Sequence, residues 1–106
     1  MTKTIRSLLA LAVVVSLAAA VGFAQSSGEA VYKAKCQMCH GAAGAADTPT
    51  AKMLKVKPLA DPDMKKLTAD AMIASVKNGK GKMPTYKDKL TDAQIKDVVT
   101  YYRGLK

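Results

Sequence analysis

The sequence predicts an all-α fold on three observations. Apolar residues recur at helical spacing twice, at Met72, Ile73 and Val76 and again at Ile95, Val98, Val99 and Tyr102. Each segment opens on a threonine, Thr68 or Thr91, of the kind that accepts a hydrogen bond from the free amides of a helix's first turn. No run alternates apolar with polar residues as a half-buried strand would, since Val98-Val99 lies inside the helical pattern.

Residues 1–24 read as an export signal. Lys3 and Arg6 make a positive front, Leu8 to Val21 carries no charge, and Gly22-Phe23-Ala24 ends in small residues. Cleavage is expected after Ala24, with Ala18-Ala19-Ala20 as the alternative. The apolar run falls short of the roughly 20 residues that span a bilayer, so an uncleaved anchor is the less favoured reading. No twin arginine precedes the run, and no cysteine stands at the cleavage point to carry a lipid. The expected mature part, 25–106, is one small domain placed outside the cytoplasm, in the periplasm, with no stable membrane insertion. It keeps most of the formal net charge of +9, because only Lys3 and Arg6 leave with the signal.

Within 25–106, Ser26 and Glu29 form a capping box for a helix that passes Val31 and Tyr32 and runs into Cys36. A Gly/Ala loop follows at 41–46. Short helices are expected at Thr50 to Val56 and from Asp61-Pro62-Asp63 through Leu67, the second with proline in its favoured first turn. Thr68 caps the next helix, which Asn78-Gly79 ends. The last is framed by Thr91 with Gln94 as a capping box and by Leu90 with Ile95 as a hydrophobic staple, and Gly104 stops it.

The chemistry is concentrated in Cys36-Gln37-Met38-Cys39-His40. This is C-x-x-C-H, the spacing at which two thiols clamp the vinyl groups of a heme while the adjacent histidine binds its iron. The chain has no other cysteine and no other histidine. A redox disulfide would be expected near a βαβ pattern, and none is visible. A structural zinc site takes four ligands, and these residues supply three. An apoprotein this small and this poor in aromatics has little to bury, so a covalently held heme c would supply the missing core.

The loop 79–86 carries Met83 among glycines, lysines and Pro84, with no evident core to enter. As the sixth ligand of a heme iron the thioether has a purpose, because soft sulfur favours Fe(II) and raises the potential relative to a second histidine. A second histidine from the same chain is excluded, leaving a five-coordinate iron or another methionine as the alternatives. Met38, Met53, Met64 and Met72 have ordinary explanations in the attachment turn or on helices.

From Gly28 through Leu105 the chain resembles the class I c-type cytochromes of the small bacterial kind. The features that carry the likeness are C-x-x-C-H, Gly81-Lys82-Met83-Pro84, and the terminal helix from Leu90-Thr91-Asp92 to Tyr101-Tyr102-Arg103-Gly104-Leu105. The resemblance implies a small cytochrome c fold, short helices wrapped around one covalent heme. It implies that Gly28 and Tyr32 of the first helix cross Val98 and Tyr101 of the last. It also implies a proline whose carbonyl takes the hydrogen bond of the proximal histidine, here Pro49, with Pro58 the more distant choice. The family's tryptophan is missing, and Tyr86 is the guess for a heme-propionate contact.

The function implied is one-electron transport between redox partners, not enzymatic turnover, with Cys36 and Cys39 as thioether anchors and His40 and Met83 as axial ligands. Lys77, Lys80, Lys82, Lys87 and Lys89 bracket the ligand loop and predict docking on acidic redox proteins, with no nucleic-acid partner and a monomeric carrier. An open sixth site would instead make a gas sensor or peroxidase-like domain. A permanent electron-delivery subunit of a larger oxidoreductase is the other alternative.

Overall fold

The computed structural model describes residues 27–106. The signal segment and the Ser26 cap lie outside the described residues. Among the described residues every regular element is helical, apart from one isolated β-bridge between Lys80 and Met83.

The first helix, α1, begins at residues 27–31, continues through a π-helical turn at Tyr32–Cys36 and ends as Gln37–His40. In the π turn the Gln37 amide reaches back to the Tyr32 carbonyl. The extra residue turns everything after it to a new azimuth, so Cys36 to His40 do not continue the face set by Gly28 and Tyr32. Gly41 ends α1 at φ +84, and a Cβ there would lie 2.6 Å from Asp47 Oδ1. Only glycine turns the chain there without strain.

Helix α2 is Pro49–Leu54, α3 is Pro62–Lys65, α4 is Ala69–Asn78 and α5 is Asp92–Arg103. The expected start of α2 moves back to Pro49, because Thr48 accepts from the Ala51 amide at 3.0 Å and proline fills the first helical position. It stops at Lys55, which adopts the left-handed conformation. Helix α3 is capped by Asp61 and ends before the expected Leu67. Thr68 caps α4 as expected, and Gly79 closes it. Helix α5 has the full capping box, with Thr91 accepting from the Gln94 amide at 3.1 Å and Gln94 Oε1 accepting from the Thr91 amide at 2.9 Å. Gly104 sits at its C-cap with φ −86, so the left-handed freedom of glycine is not what stops the helix.

The core is built where α1, α4 and α5 meet. Tyr32, Met72, Val76, Leu90, Ile95, Val98, Val99 and Tyr102 form one buried cluster, with Ile95 fully enclosed. The staple pair Leu90 and Ile95 both belong to it. Helices α1 and α5 approach closely at Gly28, where a Cβ would lie 2.5 Å from the Asp97 carbonyl oxygen and 3.1 Å from Tyr101 Cβ. The expected partners therefore meet, with the Tyr32 and Tyr101 rings 5.3 Å apart. Arg103 Nη1 donates to the Leu67 carbonyl at 2.8 Å, fastening the end of α5 to the start of α4.

Candidate heme site

Cys36, Cys39 and His40 lie together at the end of α1, each half-buried, and both thiols are free. Burial, reinforced by the neighbouring Cys39 thiolate charge, pushes the Cys36 thiol up to about 11. Burial lowers the pKa of His40, so its imidazole is neutral at pH 7 and keeps a lone pair for a metal. Its ring meets Tyr102 edge-on with centroids 5.3 Å apart. Nδ1 is buried without a hydrogen-bond partner among the described residues.

Two contacts hold the motif in place. The Tyr32 hydroxyl donates to the carbonyl of Gly41, the residue directly after His40. Thr48 Oγ1 donates to the Met38 carbonyl at 2.6 Å while capping α2. One threonine thereby joins the C-x-x-C turn to the helix that begins at Pro49. The bond expected between the Pro49 carbonyl and His40 is not made, because Nδ1 has no partner. Pro49 is the first residue of α2, where helical geometry directs its carbonyl toward the amide four residues on.

The second half of the site is the loop after α4. Lys80 and Met83 exchange two backbone hydrogen bonds of 3.0 Å around Gly81, whose φ is +58. At Gly79 (φ +80) a Cβ would lie 3.0 Å from the Met83 carbonyl oxygen, so this glycine lets the loop fold back on the end of α4. The Tyr86 amide donates to the Val76 carbonyl at 3.0 Å, and the Thr85 hydroxyl donates to the Lys77 carbonyl. Met83 does have a core to enter, contrary to the sequence reading: it is half-buried against the central cluster. The exposed thioethers are Met38 and Met53, at 72% and 71% exposure.

Tyr86 joins the two halves. Its hydroxyl donates to the Lys35 carbonyl at 3.2 Å, across a sequence separation of 51. Burial raises its pKa, with the Cys36 and Cys39 charges adding to the effect.

The donor set fits a covalent heme: two free thiols at C-x-x-C spacing, a neutral imidazole beside them, and a half-buried thioether on a loop fastened to the same helix. Of the five lysines, Lys77 is paired with Asp92 at 3.2 Å. Lys89 lies 5.6 Å from the centre of the Tyr86 ring, and Lys80, Lys82 and Lys87 are exposed around the Met83 turn. The sequence reading missed the Tyr32 and Thr48 hydroxyl bonds and the contact of Tyr102 with His40. The glycine immediately after C-x-x-C-H was the one local sign of the sharp turn there.

Comparison with known proteins places this geometry. A family model described as "Cytochrome C oxidase, cbb3-type, subunit III" matches residues 23–101. Cytochrome c6 of Leptolyngbya boryana is 41% identical over 76 residues, covering 72% of this chain and 86% of that protein. Cytochrome c6 of Thermosynechococcus vestitus is 36% identical over 94 residues, covering 88% and 81%. A solved structure, the KustC0563 c-type cytochrome, superposes with a TM-score of 0.68 at 30% identity, covering 74% of this chain and 96% of that one.

Proposed function

As a member of the class I c-type cytochromes, a family of electron carriers with covalently bound heme c, the chain carries its heme, we propose, on Cys36, Cys39, His40 and Met83. The observation that carries this reading is the bond from Tyr86 to the Lys35 carbonyl, which brings the Met83 loop to the helix bearing C-x-x-C-H. The thiols of Cys36 and Cys39 are the covalent anchors. His40 and Met83 are the axial ligands, with Tyr86 in the heme environment and Pro49 beside the attachment turn. The heme, when bound, supplies a one-electron Fe(II)/Fe(III) couple.

The protein's own contribution is fixed geometry. Tyr32 and Thr48 hold the attachment turn from two sides, while Gly79 and Tyr86 hold the methionine loop. Two protein ligands leave no coordination position for oxygen or substrate, so the chain is an electron carrier and not an enzyme. Little rearrangement then accompanies each transfer.

We further propose that residues 1–24 are a cleaved export signal and that 25–106 works in the periplasm as a monomer. No helix among the described residues is long and apolar enough to cross a membrane. The exposed lysines around Met83 favour acidic redox proteins as partners. Carbon monoxide added to the reduced protein tests the filled sixth site: an unchanged spectrum supports the carrier, and a carbonyl complex formed at once would make the domain a gas-binding one. Size exclusion of native extract separates a free carrier from a subunit of a larger oxidoreductase.

A further inference from the structure

A cavity of about 470 Å³ opens between the 43–45 loop, the stretch 59–65 and the end of α5. None of Cys36, Cys39, His40 and Met83 lines it, so it is separate from the proposed ligand set. Its size falls in the range of small-molecule pockets, roughly 300–1,000 Å³. The walls are largely apolar. Leu59, Met64 and Leu105 are half-buried around it, and the buried Met72 lines it from α4.

The charged side chains at the cavity are Lys65, Arg103 and Lys106, with no acid among them. The main-chain carboxylate of Lys106 offsets that lysine, which leaves Lys65 and Arg103 in surplus. The acids nearest in sequence serve other partners: Asp63 pairs with Lys57 at 2.8 Å, and Asp61 accepts from the Asp63 amide at 2.9 Å. Arg103 is already positioned, because its Nη1 donates to the Leu67 carbonyl at 2.8 Å and lies 3.8 Å from Met72 Sδ. A guanidinium carries five N–H donors in a planar fork, more than this contact uses, and the fork matches a carboxylate. An apolar pocket with a fixed, exposed cation beside it selects a ligand with an apolar body and one anionic end.

We propose that this cavity binds a medium-chain monocarboxylate of about ten carbons, its alkyl chain along Leu59, Met64 and Leu105 and its carboxylate on Arg103 and Lys65. The proposal goes beyond electron transport and does not depend on which residues ligate the iron. The bound chain joins the loop after C-x-x-C-H to the end of α5, and by binding the native state it stabilises the fold.

The test is amide nuclear magnetic resonance of the reduced, heme-loaded protein titrated with sodium decanoate. The expected result is saturable shifts at 43–45, 59–65 and 103–105, with the Met83 loop unmoved. Shortening the chain from decanoate to octanoate should weaken binding about four-fold for each methylene removed. Lys65→Gln, an exposed substitution outside the heme motif, should weaken it roughly two- to five-fold. Decyltrimethylammonium, with the same chain and the opposite charge, should leave these amides unmoved. The absence of saturable shifts in the heme-loaded protein would overturn the proposal, as would shifts centred elsewhere or equal binding of the ammonium compound. Anionic vesicles that bind the protein where decanoate does not would also overturn it, by making the occupant a lipid surface.

Discussion

The Tyr32 hydroxyl donates to the Gly41 carbonyl, so a side chain from the middle of α1 grips the backbone immediately beyond that helix's end. Tyr32 is 1% exposed and Gly41 is buried, which makes this bond internal at both ends. Removing the donor leaves the buried Gly41 carbonyl with the Gly44 amide alone, at 3.2 Å. Tyr32→Phe is expected to lower holoprotein stability by about 0.5–1.5 kcal/mol, read as a lower midpoint in guanidinium with an unchanged slope.

The contact at Gly28 predicts a second loss. A methyl there would stand 2.5 Å from the Asp97 carbonyl oxygen, which is backbone and cannot swing aside. Gly28→Ala should force α1 and α5 apart and cost about 1–3 kcal/mol, although alanine is the better helix former. A thermal melt at or above the wild-type midpoint would show that the helices do not meet there.

Alkaline pH provides a third check. Burial raises the phenol pKa values of Tyr32 and Tyr102 above the value of about 10 they take in an unfolded chain. Above that pH the unfolded state loses these protons first and binds fewer of them than the native state, so stability falls as pH rises. Below it these two groups contribute no slope. Denaturant midpoints at pH 9 to 11 should therefore decline in the wild type and decline less steeply in Tyr102→Phe.

How far these features were visible in the sequence depended on how local their causes are. The capping box and staple of α5 need only residues within one turn, and both stand as read. The α2 boundary slipped because Thr48 both caps the helix and binds the Met38 carbonyl, a tertiary contact. The π turn at Tyr32–Cys36 has no pattern in the sequence. Cys36, Cys39 and His40 stand together at the end of α1 because their spacing in the sequence alone sets that placement. The place of Tyr102 was not legible, because a tyrosine at an apolar helix position reads as core, and only packing shows that its hydroxyl lies unmatched beside His40.

Charge steering is testable through salt. With Lys77 engaged by Asp92, the exposed charge around Met83 comes from Lys80, Lys82, Lys87 and Lys89. Electron-transfer rates with an acidic partner should fall as ionic strength rises, and Lys80→Glu with Lys82→Glu should slow them about ten-fold or more at low salt and little at high salt. A rate indifferent to salt would remove docking from this face.

The most direct test of the account is the optical spectrum of the purified protein, oxidised and dithionite-reduced. His40 and Met83 ligation predicts the sharp α band of a low-spin c heme on reduction and a weak near-infrared sulfur-to-iron band in the oxidised form, which Met83→Ala abolishes. A high-spin spectrum, or a c heme whose sulfur band is missing or survives Met83→Ala, would contradict it.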